Sequence, residues 1–171
     1  MIDVPALPLA RERLECATAD LAGLLHGVQH DLWKGEVLNV APTRIAKTKE
    51  LRKKGVENFT AEDLDFVMFK VMTTMGGEAS FKFFLPRFLR SVLTFPECLG
   101  WVTVSHVLLS KLELLDLDSW KKSETVALLT ALEAFALFEW SVDVDSQCGD
   151  PLEEPDRGIR ELVTFVRTRR D

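Results

Sequence analysis

The sequence predicts an all-α fold, an irregular bundle of six to eight helices in a single domain over residues 1–171. Three observations carry that expectation. Apolar residues recur at spacings of three and four along most of the chain, the period that gathers them on one face of a helix. Glycines, prolines and capping residues separate those stretches at helix-length intervals. No alternating run long enough for a set of strands, and no internal repeat, competes with them.

Residues 1–10 read as an N-terminal tail, with Pro5 and Pro8 and without the basic and apolar regions of a secretion signal. Over residues 11–33, Leu14, Leu21, Leu25, Val28 and Leu32 fall on one helical stripe, which Gly23 and Gly27 weaken. Pro42 and Thr43 start a short basic helix over residues 41–54, which Gly55 stops. Only Ile45 and Leu51 anchor it, so little of it should be buried.

Thr60 is an N-cap, and Asp63 three residues on can close a capping box, with Phe59 and Leu64 placed for a hydrophobic staple. Leu64, Val67, Met68, Val71, Met72 and Met75 then make a wide apolar face, extended by Phe66 and Phe69, until Gly76-Gly77 ends the helix. That helix is expected at the centre of the core. Residues 78–95 are again apolar and aromatic, but Pro86 cannot donate a hydrogen bond. A break at Leu85 and a new helix from Pro86 are expected there.

After a loop at residues 96–100, Val104, Val107, Leu108 and Leu112 predict a helix over 103–115, although residues 101–104 alone could pass for a strand. Residues 116–119 supply a cap, and 120–142 form the longest helix, carrying Leu128, Leu132, Phe135 and Phe138. An acidic loop over 143–155 precedes a final helix at 159–169, whose arginines suit the negative end of the helix dipole.

Composition narrows the function classes. The chain is 47% hydrophobic and 28% charged, which is ordinary for a globular protein, and its net charge is −6. That balance disfavours a general nucleic-acid or anionic-membrane binder. The longest uncharged stretch, residues 98–110, is too short to span a bilayer. Cys16, Cys98 and Cys148 are sparse and odd in number, so reduced thiols and a cytoplasmic location are expected.

Three segments look familiar together: residues 59–64 (Phe-Thr-Ala-Glu-Asp-Leu), residues 70–76, and residues 81–87 (Phe-Lys-Phe-Phe-Leu-Pro-Arg). With Trp120 followed by Glu124, they resemble an uncharacterised family of bacterial hypothetical proteins with an L-T-x-x-D-L helix start and an F-x-x-F-L-P-R segment. The resemblance covers residues 50–140 and implies a shared fold, with no chemistry attached. Some of those proteins carry closely spaced cysteines near the N-terminus, where this chain has only Cys16, so no metal or redox role carries over.

Each candidate site has a sharp and a bland reading. His26 and His30, spaced i, i+4 on one expected helix face, could hold a metal with Asp31, or be ordinary boundary histidines. In the acidic loop, Asp143, Asp145, Gln147 and Glu154 fall at calcium-loop positions one, three, five and twelve, but Cys148 stands where glycine is required. Arg44, Lys47, Lys49, Arg52, Lys53 and Lys54 make a basic patch that could pair with that acidic segment, meet a partner or simply face solvent. No aromatic is interleaved there to stack on bases. Arg87 must reach water or find a carboxylate such as Glu124. An anion pocket at Arg87 backed by Phe83, Phe84 and Trp120 is the sharper alternative.

No G-x-S-x-G, G-x-x-x-x-G-K-[ST] or G-x-G-x-x-G fingerprint is present, Ser105-His106 and Cys98 lack assigned partners, and no cofactor is expected. The sequence therefore favours a small helical protein–protein interaction module over an enzyme, a regulator or immunity-type partner that acts by binding another protein. The alternative is a metal-dependent enzyme or metal-binding protein using His26, His30 or the 143–154 loop. Self-association is left open.

Overall fold

The computed structural model describes residues 5–34, 42–94, 104–146, 155 and 157–170. Within them the chain forms seven α-helices: α1 (Leu7–Leu25), α2 (Pro42–Lys54), α3 (Ala61–Lys70), α4 (Glu78–Thr94), α5 (Val104–Leu112), α6 (Lys122–Ser146) and α7 (Arg157–Arg170). Short 3₁₀ turns at Val56–Asn58 and Leu117–Ser119 precede α3 and α6. No strand forms among the described residues; Val71 and Met75 make only an isolated bridge. The architecture is the all-α irregular bundle that the apolar periodicity predicts.

Helix α6 lies at its centre and packs against α1 and α7, while α4 packs against α1 and α3, and α5 against α7. Leu128, Leu132, Phe135 and Phe138 of α6 are fully buried, as are Leu14 and Leu21 of α1 and Phe81, Phe84 and Leu89 of α4. Burying each such side chain is worth about 1.5–3 kcal/mol, so the fold rests on these faces. By length and composition Lys122–Asp145 could cross a membrane, but 67% of its apolar window is buried inside the fold. Inside the bundle, Ser105 donates to the Glu139 carboxylate and joins α5 to α6, both residues being buried.

Helix α1 differs from the expected residues 11–33 at both ends. It begins at Leu7, with Pro8 in the first turn, where a missing N–H costs nothing, and Ala10 is fully buried. The tail is therefore shorter than residues 1–10. At its other end α1 stops at Leu25, and His26 and Gly27 form a turn. The reason lies 46 to 49 residues away. Asp31 Oδ1 accepts from Gly77 N–H (2.9 Å), Ser80 N–H (3.1 Å) and Ser80 Oγ (2.5 Å), while Asp31 N–H donates back to Ser80 Oγ (3.0 Å). These bonds cap the free N–H groups at the start of α4. They outweigh two further turns weakened by glycine.

The capping box at Thr60 and Asp63 forms, with Asp63 N–H donating to Thr60 Oγ1 (3.3 Å) and Thr60 N–H to Asp63 Oδ2 (3.0 Å). The helix it opens ends at Lys70 rather than at Gly76. Met72 adopts φ 66°, and the Lys70 carbonyl gathers the N–H groups of Thr73, Thr74 and Met75 into a tight turn. Buried Lys111 of α5 donates to the Phe69 carbonyl (2.9 Å) and to Thr73 Oγ1 (3.2 Å), a cation on the negative end of α3. Burial, and then the nearby Lys70 charge, lower the Lys111 pKa.

Pro86 does not break the chain into two helices; α4 is continuous from Glu78 to Thr94. A proline inside a helix costs about 3 kcal/mol or more. Here Phe81, Phe84 and Leu85 before it and Phe88, Leu89 and Val92 after it are all buried. Separating those faces would cost several such burials. Burial wins.

Candidate functional site

Helices α1 and α4 run antiparallel: Arg11 Nη1, near the start of α1, donates to the carbonyl of Leu93, near the end of α4 (2.6 Å). The groove between them carries two clefts. One, of about 280 Å³, is lined by Ala22 and Leu25 of α1, by His26 in the turn after it, and by Lys82, Phe83, Pro86, Arg87 and Arg90 of α4. The other, of about 580 Å³, is lined by Arg11, Glu15 and Thr18 of α1 and by Arg90, Leu93 and Thr94 of α4. Arg90 lines both, so the two clefts adjoin at its side chain. On each helix the lining positions recur at three and four, which is one face. Four cations border the groove against a single acid, Glu15.

Each cation is held differently. Lys82 sits 3.9 Å above the Trp120 ring and reaches Glu78 (3.4 Å) and Glu124 (3.6 Å). Arg11 also lies over Phe138, at 5.8 Å. Arg87 covers the Phe83 ring at 3.8 Å and donates through Nη1 to the Phe83 carbonyl (2.6 Å), one turn back beside Pro86. Neither Arg87 nor Arg90 pairs with a carboxylate among the described residues. Burial, and then the like charge of Arg90, lower the Arg87 pKa. Two guanidinium groups at i, i+3 repel one another there with no carboxylate bonded to either among the described residues.

This arrangement corrects the expected Arg87–Glu124 pair. Glu124 bonds Lys82 and Lys121 (3.7 Å) instead. Lys82 and Arg87 are five residues apart, about 140° around the helix, so only one can face the start of α6. Trp120 precedes α6 and packs on Lys82, not Arg87. Phe83 lines the groove, whereas Phe84 is buried beneath it. Sequence reasoning missed Lys82 and Arg90, although the i, i+3 spacing of Arg87 and Arg90 on one helix was a usable signal.

The histidine pair is also corrected. Because α1 ends at Leu25, His26 and His30 do not share a helix face. His26 is exposed with Nδ1 2.7 Å from the Gly23 carbonyl, while the half-buried His30 ring packs against Phe83 (4.9 Å) and Phe84 (5.7 Å). Burial lowers the His30 pKa, Asp31 opposes that, and Arg87 adds to it. Asp31 is committed to α4: burial pushes its carboxyl up, but hydrogen bonds from Ser80 and Gly77 hold it below the usual range. Among the described residues no group of three or more His, Cys, Asp or Glu is placed to hold a metal ion.

Asp143 and Asp145 stand in the last turn of α6, so the helix takes the first residues of the expected loop. Residues i and i+2 of a helix point to different sides, which is not the calcium-loop arrangement. Gln147, Cys148 and Glu154 lie outside the described residues, as does Cys98. Cys16 is exposed. Ser105 is buried on Glu139, while His106 is exposed 3.8 Å from Glu161, so the two form no Ser–His pair.

The basic patch is partly consumed by the fold. Lys47 (2.8 Å) and Lys54 both bridge Asp63, whose side chain is 1% exposed. Burial opposes ionisation of Asp63, but Lys47, Lys54 and the Thr60 cap hold its pKa far below the usual range. Arg52 lies over the Trp33 ring at 5.3 Å. Thr48 and Leu51 are buried, so α2 is anchored more deeply than expected. Lys49 and Lys53 remain exposed and unpaired among the described residues, and the side chain of Arg44 lies outside them. The chain matches no protein family, no curated protein and no solved structure.

Proposed function

We propose that the protein is a helical interaction module that receives an acidic, extended segment of a partner protein along the α1–α4 groove. The observation that carries this reading is the uncompensated pair of Arg87 and Arg90 at the junction of the two clefts. Like charges held together are unfavourable until an anion lies between them, so a carboxylate bonded there relieves the repulsion and gains charge-assisted hydrogen bonds.

The length of the groove favours a chain segment over a compact anion. From Lys82 to Thr94 is twelve residues, about 18 Å along a helix, which an extended segment of roughly five or six residues would span. A nucleic acid fits less well: the net charge of −6 opposes a polyanion, and Phe83 is covered by Arg87 rather than open for stacking. A regulator or immunity-type protein acts in this way, by occupying a partner rather than by turning over a substrate.

The test is titration with fluorescent hexapeptides rich in Glu and Asp, beside glutamine analogues and single-stranded RNA. Saturable binding of the acidic peptides is expected, weakening with salt and falling about tenfold or more in Arg87→Glu/Arg90→Glu. Lys49→Glu should leave it unchanged. Binding indifferent to the double reversal, no saturable peptide binding, or preference for RNA would each overturn the reading.

A further inference from the structure

We infer that the groove between α1 and α6 is a self-association surface, and that it seats a second copy of this chain about a two-fold axis. This surface lies on a different side of α1 from the cationic groove, since residues two apart on a helix do not face the same way. Either reading can therefore fail alone.

The groove is apolar, open and about 880 Å³ in volume. Leu24 and Val126 stand on its two walls, 44% and 55% exposed, among the few large apolar side chains that the described chain leaves in water. Between them Gly23 has no atom within 4 Å of where a Cβ would sit, so the floor is open to an incoming side chain. Exposed apolar surface of this kind marks an interaction face.

The charges on the groove indicate which partner it fits. Asp20 of α1 and Lys122 of α6 both line it, and neither forms a hydrogen bond or ion pair with a described residue. They stand at different levels. Ser141 Oγ of α6 donates to the Pro5 carbonyl (3.0 Å), which sets the end of α6 beside the start of α1 and makes the two helices antiparallel. Lys122 therefore lies where α1 finishes, and Asp20 lies more than a turn further in.

An isologous interface places the same patch of two copies face to face, so that residue i of one meets residue j of the other and the reverse. A two-fold axis through this groove pairs Asp20 with the partner's Lys122 twice, around an apolar centre made by Leu24 and Val126. That is a charged rim about an apolar core. A partner of one dominant charge would leave either Asp20 or Lys122 opposed; a second copy satisfies both.

Sedimentation equilibrium over a wide concentration range tests this. The expected species is a dimer of twice the 19.3 kDa chain mass. Asp20→Lys should weaken it about tenfold or more, and adding Lys122→Asp should restore it. Val126→Asp should give a monomer with unchanged helicity, since the position is exposed. A wild-type monomer at every concentration would refute the inference, as would a dimer indifferent to Val126→Asp or not restored by the charge exchange.

Discussion

Asp63 should behave as the anchor of α2, and Asp63→Asn isolates its charge at nearly constant volume. The carboxylate accepts from Thr60 N–H in the capping box and from Lys47 and Lys54 of α2, and it is buried. Weakening the cap interaction costs about 1 kcal/mol. The lysine side chains are 26% and 30% exposed, so each can turn to water when released. Each ion pair therefore contributes about 0.5–1 kcal/mol rather than the several of a fully buried one. The sum is about 2–3 kcal/mol, a fall in Tm of roughly 5–10 °C for a chain of this size.

The pH dependence gives a sharper check. The folded pKa of Asp63 lies below its unfolded value, so its contribution is fully present above about pH 4. It is lost as the pH falls from there toward the folded value, because the unfolded state binds the proton first. Urea denaturation of both proteins from pH 7 to pH 3 should show a constant gap down to about pH 5 that narrows below pH 4. Limited trypsin digestion should cut the variant earlier within residues 47–54. A variant within about 0.5 kcal/mol of wild type, or a gap that stays constant to pH 3, would refute the argument.

Two further perturbations test the packing around the groove. Gly76 has φ +56°, and a Cβ there would lie 2.9 Å from Leu32 Cα and 2.5 Å from Ser80 Oγ. Gly76→Ala should therefore cost about 2–3 kcal/mol, measured by urea denaturation, whereas Gly23→Ala, which meets nothing, should not destabilise. Burial lowers the His30 pKa and so favours the uncharged ring in the fold. Stability should then fall as the pH drops below about 6.5, where the unfolded state takes up the proton first. An imidazole NMR titration showing His30 at or above the ordinary histidine value would contradict this.

The parts of this fold legible in the sequence are those whose causes are local. The Thr60–Asp63 box is written within four residues, and the apolar faces of α4 and α7 follow from spacing alone. The missed boundaries have distant causes. Leu25 ends α1 because Asp31 is needed at Gly77 and Ser80, and Lys70 ends α3 with Lys111 of α5 donating beside it. Pro86 leaves α4 unbroken because the penalty of a proline is local, while the burial that offsets it comes from neighbouring helices. The same holds at the groove. Arg87 stood out as a cation among aromatics, but its carboxylate partner depended on which face of α4 met α6, and Lys82 took that place.

The charges divide into two populations, and the proposed grooves rest on that division. Asp31, Asp63, Lys82, Lys111 and Glu124 each have defined polar partners, most of them buried, and each ties one element to another. Removing any of them would damage the fold, so their presence is explained by stability alone. Arg87, Arg90, Asp20 and Lys122 join no element to another through a polar bond among the described residues, yet all four line grooves beside α1. A solvated surface charge needs no reason, but two repelling arginines in a groove lined by Phe83, against which the His30 ring packs, do. Because Arg87 helps to depress the His30 pKa, an anion seated on Arg87 must raise it by the same coupling. The His30 imidazole, packed on Phe83, thus reports occupancy, and its titration should shift upward on addition of acidic peptide and stay fixed in Arg87→Glu/Arg90→Glu.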